Sequence, residues 1–160
     1  MNAIPVYTLA AWSGTGKTTF LERLVAELKS RGLRVAVIKH DAHGLAFDTP
    51  GKDTWRFAQA GADLVAAAGP GQTVILEQRE LPLEELTARI RDVDLILTEG
   101  YKFGPYPKIG LFRRDSGRPL AGSPEDFAAI VTDTPLDTVV PSFPLDDPAP
   151  LAEWILARQV

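Results

Sequence analysis

Cysteine is absent from this chain of 160 residues, which excludes a disulfide framework, a thiolate metal site and a thiol nucleophile. Histidine occurs twice, so a zinc centre built on three or four ligands has little to draw on. No apolar run approaches the roughly 20 residues that a membrane-spanning helix needs. Neither sign of charge dominates: 17 Lys and Arg face 21 Asp and Glu, leaving −4, a poor match to bulk nucleic acid or an anionic membrane surface. Internal repeats and low-complexity linkers are also missing. What remains is an ordinary globular composition, 45% hydrophobic and 24% charged, long enough to bury about 70% of its unfolded surface. One domain over residues 1–160 is expected. The apolar stretch Ala3 to Trp12 could pass for a signal-peptide core, but no Lys or Arg precedes Lys17. It reads better as a buried strand, and the expected location is cytoplasmic.

The first half alternates between strand and helix patterns. Val6 to Ala10 is a short apolar run bounded by Pro5 and a glycine-rich loop. Phe20, Leu21, Leu24, Val25 and Leu28 then recur at helical spacing, with Gly32 placed to end the helix. Val35 to Ile38 is a second β-branched run. This βαβ unit implies parallel strands joined by a right-handed crossover. Asp53 to Ala60 reads as a short helix capped by Asp53 or Thr54. Leu64 to Ala68 and Thr73 to Leu76 flank Gly69-Pro70-Gly71 as an antiparallel hairpin. Leu83, Leu86 and Ile90 share a helix face, and Val93 to Thr98, Lys108 to Phe112 and Ala128 to Val131 are further strands. Nine of the thirteen prolines fall between Pro105 and Pro150, predicting short elements and many turns there. Ser123-Pro124-Glu125-Asp126 has the form of a capping box. Asp147 and Pro148 suit the N-cap and first turn of a closing helix with Leu151, Trp154 and Ile155 inward. The expected fold class is α/β: a three-layer domain with a mostly parallel central sheet and an added antiparallel hairpin.

The loop Ala11-Trp12-Ser13-Gly14-Thr15-Gly16-Lys17-Thr18 has the Walker A spacing G-x-x-x-x-G-K-[ST], with Ala in place of the first Gly. Gly14 and Gly16 free the backbone to bring N–H groups against phosphate oxygens. The helix that follows turns its unpaired N–H groups and positive dipole end to the same anion. Lys17 supplies a point charge for the β- and γ-phosphates, and Thr18 a hydroxyl for Mg2+. Ser13, Thr15 and Thr19 complete the expected phosphate-binding set. The Ala11 replacement is mild, because that position asks for a small residue at a turn.

Two acids bracket the next buried strand, Asp94 and Glu99. Ligands of open α/β sheets sit beyond the carboxyl ends of the strands. Five residues at about 3.3 Å each carry Asp94 about 17 Å away from that end. Glu99 is therefore the candidate for the metal or for an attacking water, and Asp94 a solvated residue at the strand start. By the same logic Asp41, just past the second strand, lies on the ligand side.

Further blocks follow in order: Lys39-His40-Asp41-Ala42-His43, Pro50-Gly51-Lys52-Asp53-Thr54-Trp55-Arg56, and Thr98-Glu99-Gly100-Tyr101-Lys102. With the phosphate loop ahead of them, they resemble the molybdopterin-guanine dinucleotide biosynthesis adapter proteins over about the first two-thirds of the chain. That resemblance implies a homodimeric GTP-binding protein with at most weak GTPase activity, acting beside the guanylyltransferase that completes the molybdenum cofactor, in contact with guanine nucleotide and molybdopterin-carrying partners. It implies Mg2+ and GTP at Gly14, Gly16, Lys17 and Thr18, with Asp41 and Glu99 near the metal. It also implies that His40, His43, Lys52, Asp53 and Arg56 line the same cleft.

Read without the family, these residues leave alternatives. His40, Asp41 and His43 suit either a metal site or a polar loop at the ligand edge of the sheet. Lys52 and Arg56, one helical turn apart, present either a charged face to phosphate or a solvated face beside Asp53. Asp133, after the strand ending Val131-Thr132, is a candidate reader of the guanine base, although the Asn/Thr-Lys-x-Asp pattern of many GTPases is absent. Arg113, Arg114 and Arg118 around Asp115-Ser116-Gly117 suit a kinase lid or a charged turn, which keeps a small-molecule kinase as the alternative function. A structural interaction module with a relic loop is the third reading. Tyr101, Phe103, Pro105, Tyr106 and Pro107 suit a contact surface or a proline-stiffened loop packed on its own domain.

Overall fold

A computed structural model describes residues 4–158. In chain order the strands are β1 (Val6–Ala10), β2 (Val35–Lys39), β3 (Leu64–Gly69), β4 (Gln72–Glu77), β5 (Leu95–Glu99), β6 (Lys108–Phe112), β7 (Ala129–Thr132) and β8 (Ser142–Pro144). The helices are α1 (Lys17–Ser30), α2 (Asp53–Gln59), α3 (Leu83–Arg89) and α4 (Ala149–Leu156). They group into two compact units: one runs through His40 and resumes at Thr87, the other is Asp41–Leu86.

The first unit is built on a six-stranded sheet of order β2-β5-β1-β6-β7-β8, with every pairing parallel. Parallel strands buried on both faces need apolar side chains throughout, and β1, β5 and β7 are buried along their whole length. On one face Tyr7, Leu9, Leu97, Ile109, Leu111 and Val131 meet Phe20, Leu24 and Leu28 of α1 and Leu151 and Ile155 of α4. The rings of Tyr7 and Phe143 meet Trp154 of α4 edge-on at 6.0 and 5.9 Å. On the other face Ala10, Phe127 and Ile130 form a smaller cluster with Leu120, Leu136 and Val140.

Helix α1 ends as its sequence predicts. Gly32 adopts φ 86, donates its N–H to Lys29 O at 3.0 Å, and lets Leu33 donate to Leu28 O at 3.2 Å. These two bonds satisfy carbonyls that the helix end would otherwise leave open, and Leu28 and Leu33 both lie in the core.

The second unit carries α2 and the two-stranded antiparallel sheet of β3 and β4. The strands turn through Pro70-Gly71, where Gly71 takes φ 83. Val65 is buried, whereas Leu64, Val74 and Ile75 are exposed.

The α/β class, the parallel sheet and the separate hairpin match the expectation. Several boundaries do not. The N-cap of α2 is Lys52, not Asp53 or Thr54, with Asp53 inside the first turn. Helix α4 begins at Ala149 with Pro148 at its N-cap, one residue later than expected, although the Asp147 carboxylate still accepts the Ala149 N–H at 3.0 Å. Strand β5 runs Leu95–Glu99 rather than 93–98, and α3 closes before Ile90. Strand β8 was not foreseen, since three residues ending in proline carry almost no periodic signal, and only the edge of β7 holds them in place. The capping box is present, with Ser123 N–H donating to the Asp126 carboxylate at 2.9 Å.

Gly110 of β6 lies under the Phe127 ring. A Cβ placed there would sit 3.0 Å from Phe127 Cγ and Cδ1, tighter than packed carbon atoms allow. Gly110→Ala should therefore push the ring aside and cost about 1–3 kcal/mol, the usual range for overpacking. Urea denaturation of the variant beside the unchanged chain measures it, and an unshifted midpoint would show that the ring moves freely.

Candidate functional site

Strand β1 leads straight into the glycine loop. Ala11 is buried in the core beside α1, and among the described residues Asp92 is the one non-glycine with positive φ. Alanine at this position is therefore unstrained, and its methyl group packs where a glycine would leave a gap. Gly14 and Gly16 do need left-handed backbone, at φ 81 and 89, and nothing approaches within 4 Å of a Cβ built on Gly14. Thr15 is buried and donates its hydroxyl to Trp12 O at 2.8 Å, so its side chain braces the loop from inside. Ser13, Thr18 and Thr19 are exposed along it.

Lys17, the first residue of α1, donates from Nζ to Ala11 O at 3.3 Å, folding its ammonium back over the loop. Partial burial holds its pKa below the ordinary lysine value; nearby Glu99 pulls it up, while Lys102 and Lys39 push it down. An anion seated over the loop would compensate a charge that the protein alone compensates poorly.

Thr18 and Glu99 meet. The Thr18 hydroxyl donates to Glu99 Oε1 at 3.0 Å, and Glu99 is buried as the last residue of β5. The registers explain the meeting: β5 pairs with β1 so that Thr8 faces Thr98 and Leu9 faces Glu99. The buried hydroxyls of Thr8 and Thr98 bond each other at 2.8 Å and pin this register inside an otherwise apolar sheet. On the other side of β5, His40 donates its N–H to Glu99 O at 2.9 Å. Gly100 follows at φ 109, where a Cβ would stand 3.0 Å from His40 O, so the turn after Glu99 admits only glycine. The His40 and Tyr101 rings lie 4.9 Å apart, and Lys102 Nζ sits 3.9 Å above the Trp12 ring centroid.

Asp94 occupies the opposite end of β5. Its carboxylate accepts the Arg34 N–H at 2.7 Å and the guanidinium at 3.0 and 3.3 Å. It ties the start of β5 to the start of β2, a structural role far from the glycine loop.

Asp133 follows β7 and is exposed, with one oxygen accepting the Arg114 N–H at 2.9 Å. It lines a cleft of about 350 Å3 with Arg23, Arg113, Thr132, Pro144, Leu145 and Asp146. Arg113 reaches from this cleft to the glycine loop, its Nη1 standing 3.4 Å from a Cβ built on Gly16. Sequence reasoning missed Arg23 and gave Arg113 only a possible lid role, because neither falls in a spaced motif. The remaining candidates belong to the second unit. There the Asp41 carboxylate accepts the His43 N–H at 2.9 Å in a tight turn, and Lys52, Asp53 and Arg56 are exposed, with Arg56 and Asp53 3.9 Å apart. Among the described residues no group of three or more His, Cys, Asp or Glu side chains is arranged to hold a metal, and no helix is long and apolar enough to cross a membrane. The aromatic and proline cluster divides: Phe103 is 90% exposed, while Tyr106 shares a 2.8 Å hydrogen bond with Thr87.

These features define an α/β protein in which a loop of Walker A spacing joins the first strand to the first helix and a buried carboxylate ends the neighbouring strand. The profile of the family described as molybdopterin guanine dinucleotide synthesis protein B (MobB) matches residues 6–133. The molybdopterin-guanine dinucleotide biosynthesis adapter protein of Haemophilus influenzae is 39% identical over 140 residues, 85% of this chain and 79% of that protein. The protein of the same description from Escherichia coli is 36% identical over 165 aligned positions, covering 96% and 92%. The crystal structure of Bacillus subtilis MobB superposes with a TM-score of 0.74 at 30% identity, covering 98% of each chain. The chain belongs to the molybdopterin guanine dinucleotide synthesis protein B family, which places it among proteins of molybdopterin guanine dinucleotide biosynthesis.

The pairing with Arg34 holds the Asp94 carboxyl below its ordinary pKa. A carboxyl depressed in the folded state stabilises the fold above its unfolded value of about 3.9 and loses that contribution as pH falls through the folded value. Asp94→Asn should therefore lower the urea midpoint modestly at pH 7, with the gap closing below about pH 4. A gap that persists undiminished in acid would assign the effect to packing instead.

Proposed function

We propose that this chain is a GTP-binding adapter that assists the guanylyltransferase of molybdopterin guanine dinucleotide synthesis, with at most weak GTPase activity of its own. The observation that carries the nucleotide reading is the Thr18–Glu99 hydrogen bond at the mouth of the glycine loop. It brings a hydroxyl and a carboxylate, both hard oxygen donors, to the point where a phosphate chain held by the loop would carry its metal. Magnesium is usually held by one or two protein oxygens and the substrate phosphates, so this donor set fits it. Thr18 and Glu99 would hold the ion, which when bound neutralises phosphate charge. Lys17 would leave Ala11 O for the β- and γ-phosphates, and the loop N–H groups would take the remaining oxygens.

The surroundings of Glu99 support slow turnover. Its carboxylate is engaged by Thr18, which suits it to metal binding more than to driving an attacking water. Hydrolysis that waits on a partner suits an adapter. Support for a homodimer comes from the hairpin, where Leu64 and Ile75 leave large apolar side chains exposed on one strand face. Guanine selection is assigned to Asp133, whose carboxylate can accept from the ring N–H and the exocyclic amine.

Calorimetric titration with Mg2+–GTP and Mg2+–ATP tests the proposal: GTP should bind and ATP should bind more weakly. Equal affinity for the two, or none for either, overturns it. Lys17→Ala should weaken GTP binding by about 1.5–3 kcal/mol, the range for a charge-assisted hydrogen bond. Asp133→Asn should favour xanthosine triphosphate over GTP, because the new amide donates where the carboxylate accepted.

A further inference from the structure

The carboxyl edge of the parallel sheet has two sides, divided by the glycine loop at the end of β1. Toward β5 and β2 lie Glu99, Thr18 and the lysines Lys39 and Lys102. Toward β6, β7 and β8 lies the cleft of about 350 Å3. Its lining comes from the residues that immediately follow those strands: Arg113 after β6, Asp133 after β7, and Leu145 and Asp146 after β8. Arg23 of α1 closes it by donating to the Asp146 carbonyl. With the hydroxyl and carboxylate donors on the β5 side of the loop, this cleft is the open space on its other side.

Arg113 stands where the two sides join. It is exposed, belongs to the cleft lining, and its guanidinium lies against Gly16 with Nη1 and Cζ at 3.4 and 3.8 Å from a Cβ built there. No salt bridge to it appears among those of the described residues, so its charge is available to an anion. A planar guanidinium beside the last glycine of the loop, one residue before Lys17, suits a phosphate oxygen at the nucleoside end of the chain of phosphates.

We propose that Arg113 binds the α-phosphate of the nucleotide, coupling the glycine loop to the base-reading Asp133. The assignment rests on the nucleotide reading above. It explains why a carboxylate can face the cleft beside Arg113 without a direct ion pair between them: Asp133 is held by the Arg114 N–H, and the guanidinium is left for phosphate. It also gives the loop a way to favour a nucleotide over a bare polyphosphate.

The test compares Mg2+–GTP with Mg2+–pyrophosphate, which fills two phosphate positions and carries no nucleoside. Arg113→Ala should weaken GTP at least tenfold and pyrophosphate less than twofold, with Arg113→Lys recovering only part of the loss. Protection of the unaltered chain from phenylglyoxal, read by mass spectrometry at Arg113, gives a measurement independent of any variant. GTP should protect Arg113, and pyrophosphate should not. Unchanged GTP binding by Arg113→Ala, an equal loss for both ligands, or no protection by GTP overturns the inference while leaving the loop reading standing. Failure of the unaltered chain to bind either ligand overturns both.

Discussion

The structure depends on the pairing of β5 beside β1 in one register. That pairing sets Glu99 level with Leu9, two residues before the loop begins, and so delivers a carboxylate to the hydroxyl of Thr18. A parallel sheet spaces its strands at about 4.8 Å, so one residue of slip would move the carboxylate by about 3.3 Å and turn its side chain to the other face. The apolar neighbours cannot prevent such slips by themselves, because leucine and isoleucine tolerate many registers. The Thr8–Thr98 hydrogen bond can, since either hydroxyl buried without the other would forfeit its partner.

The two ends of β5 show how position decides the role of a carboxylate. Asp94 meets a guanidinium and a backbone N–H at the amino end, and works as a fastener between strands. Glu99 meets a hydroxyl beside a helix N-terminus at the carboxyl end, where the chain leaves N–H groups free to bind. The same logic orders the whole edge of the sheet. Groups that suit metal and terminal phosphate cluster on the β5 side of the loop, and a roomier cleft with a guanidinium and an acid lies on the β7 side.

Much of this was legible in the sequence. The Walker A spacing marked Gly14 and Gly16 as positions where the backbone leaves the region open to other residues, and both take left-handed φ. Placing Glu99 at the carboxyl end of its strand and Asp94 at the other needed only the rise of a strand. The antiparallel hairpin announced itself through Gly69-Pro70-Gly71, and Gly32 marked the end of α1. Less was legible past Pro105, where elements are short and periodicity fades; β8 owes its existence to the edge of β7. The caps of α2 and α4 were misplaced by one or two residues, because polar side chains near a helix start serve several positions almost equally well.

By itself, then, the chain's order of residues determined the local arrangement: which loop has Walker A spacing, which helix follows it, and which acid lies at the carboxyl end of its strand. Those are short-range facts, governed by backbone sterics and fixed spacing. Tertiary structure alone decided that Thr8 and Thr98, 90 residues apart, would share a hydrogen bond. It also decided that Arg113 would come to rest on Gly16, and that Arg23, Asp133 and Asp146 would enclose one cleft. Strand order set those meetings, and strand order emerges from the packing of all six strands together, which no single stretch of sequence contains.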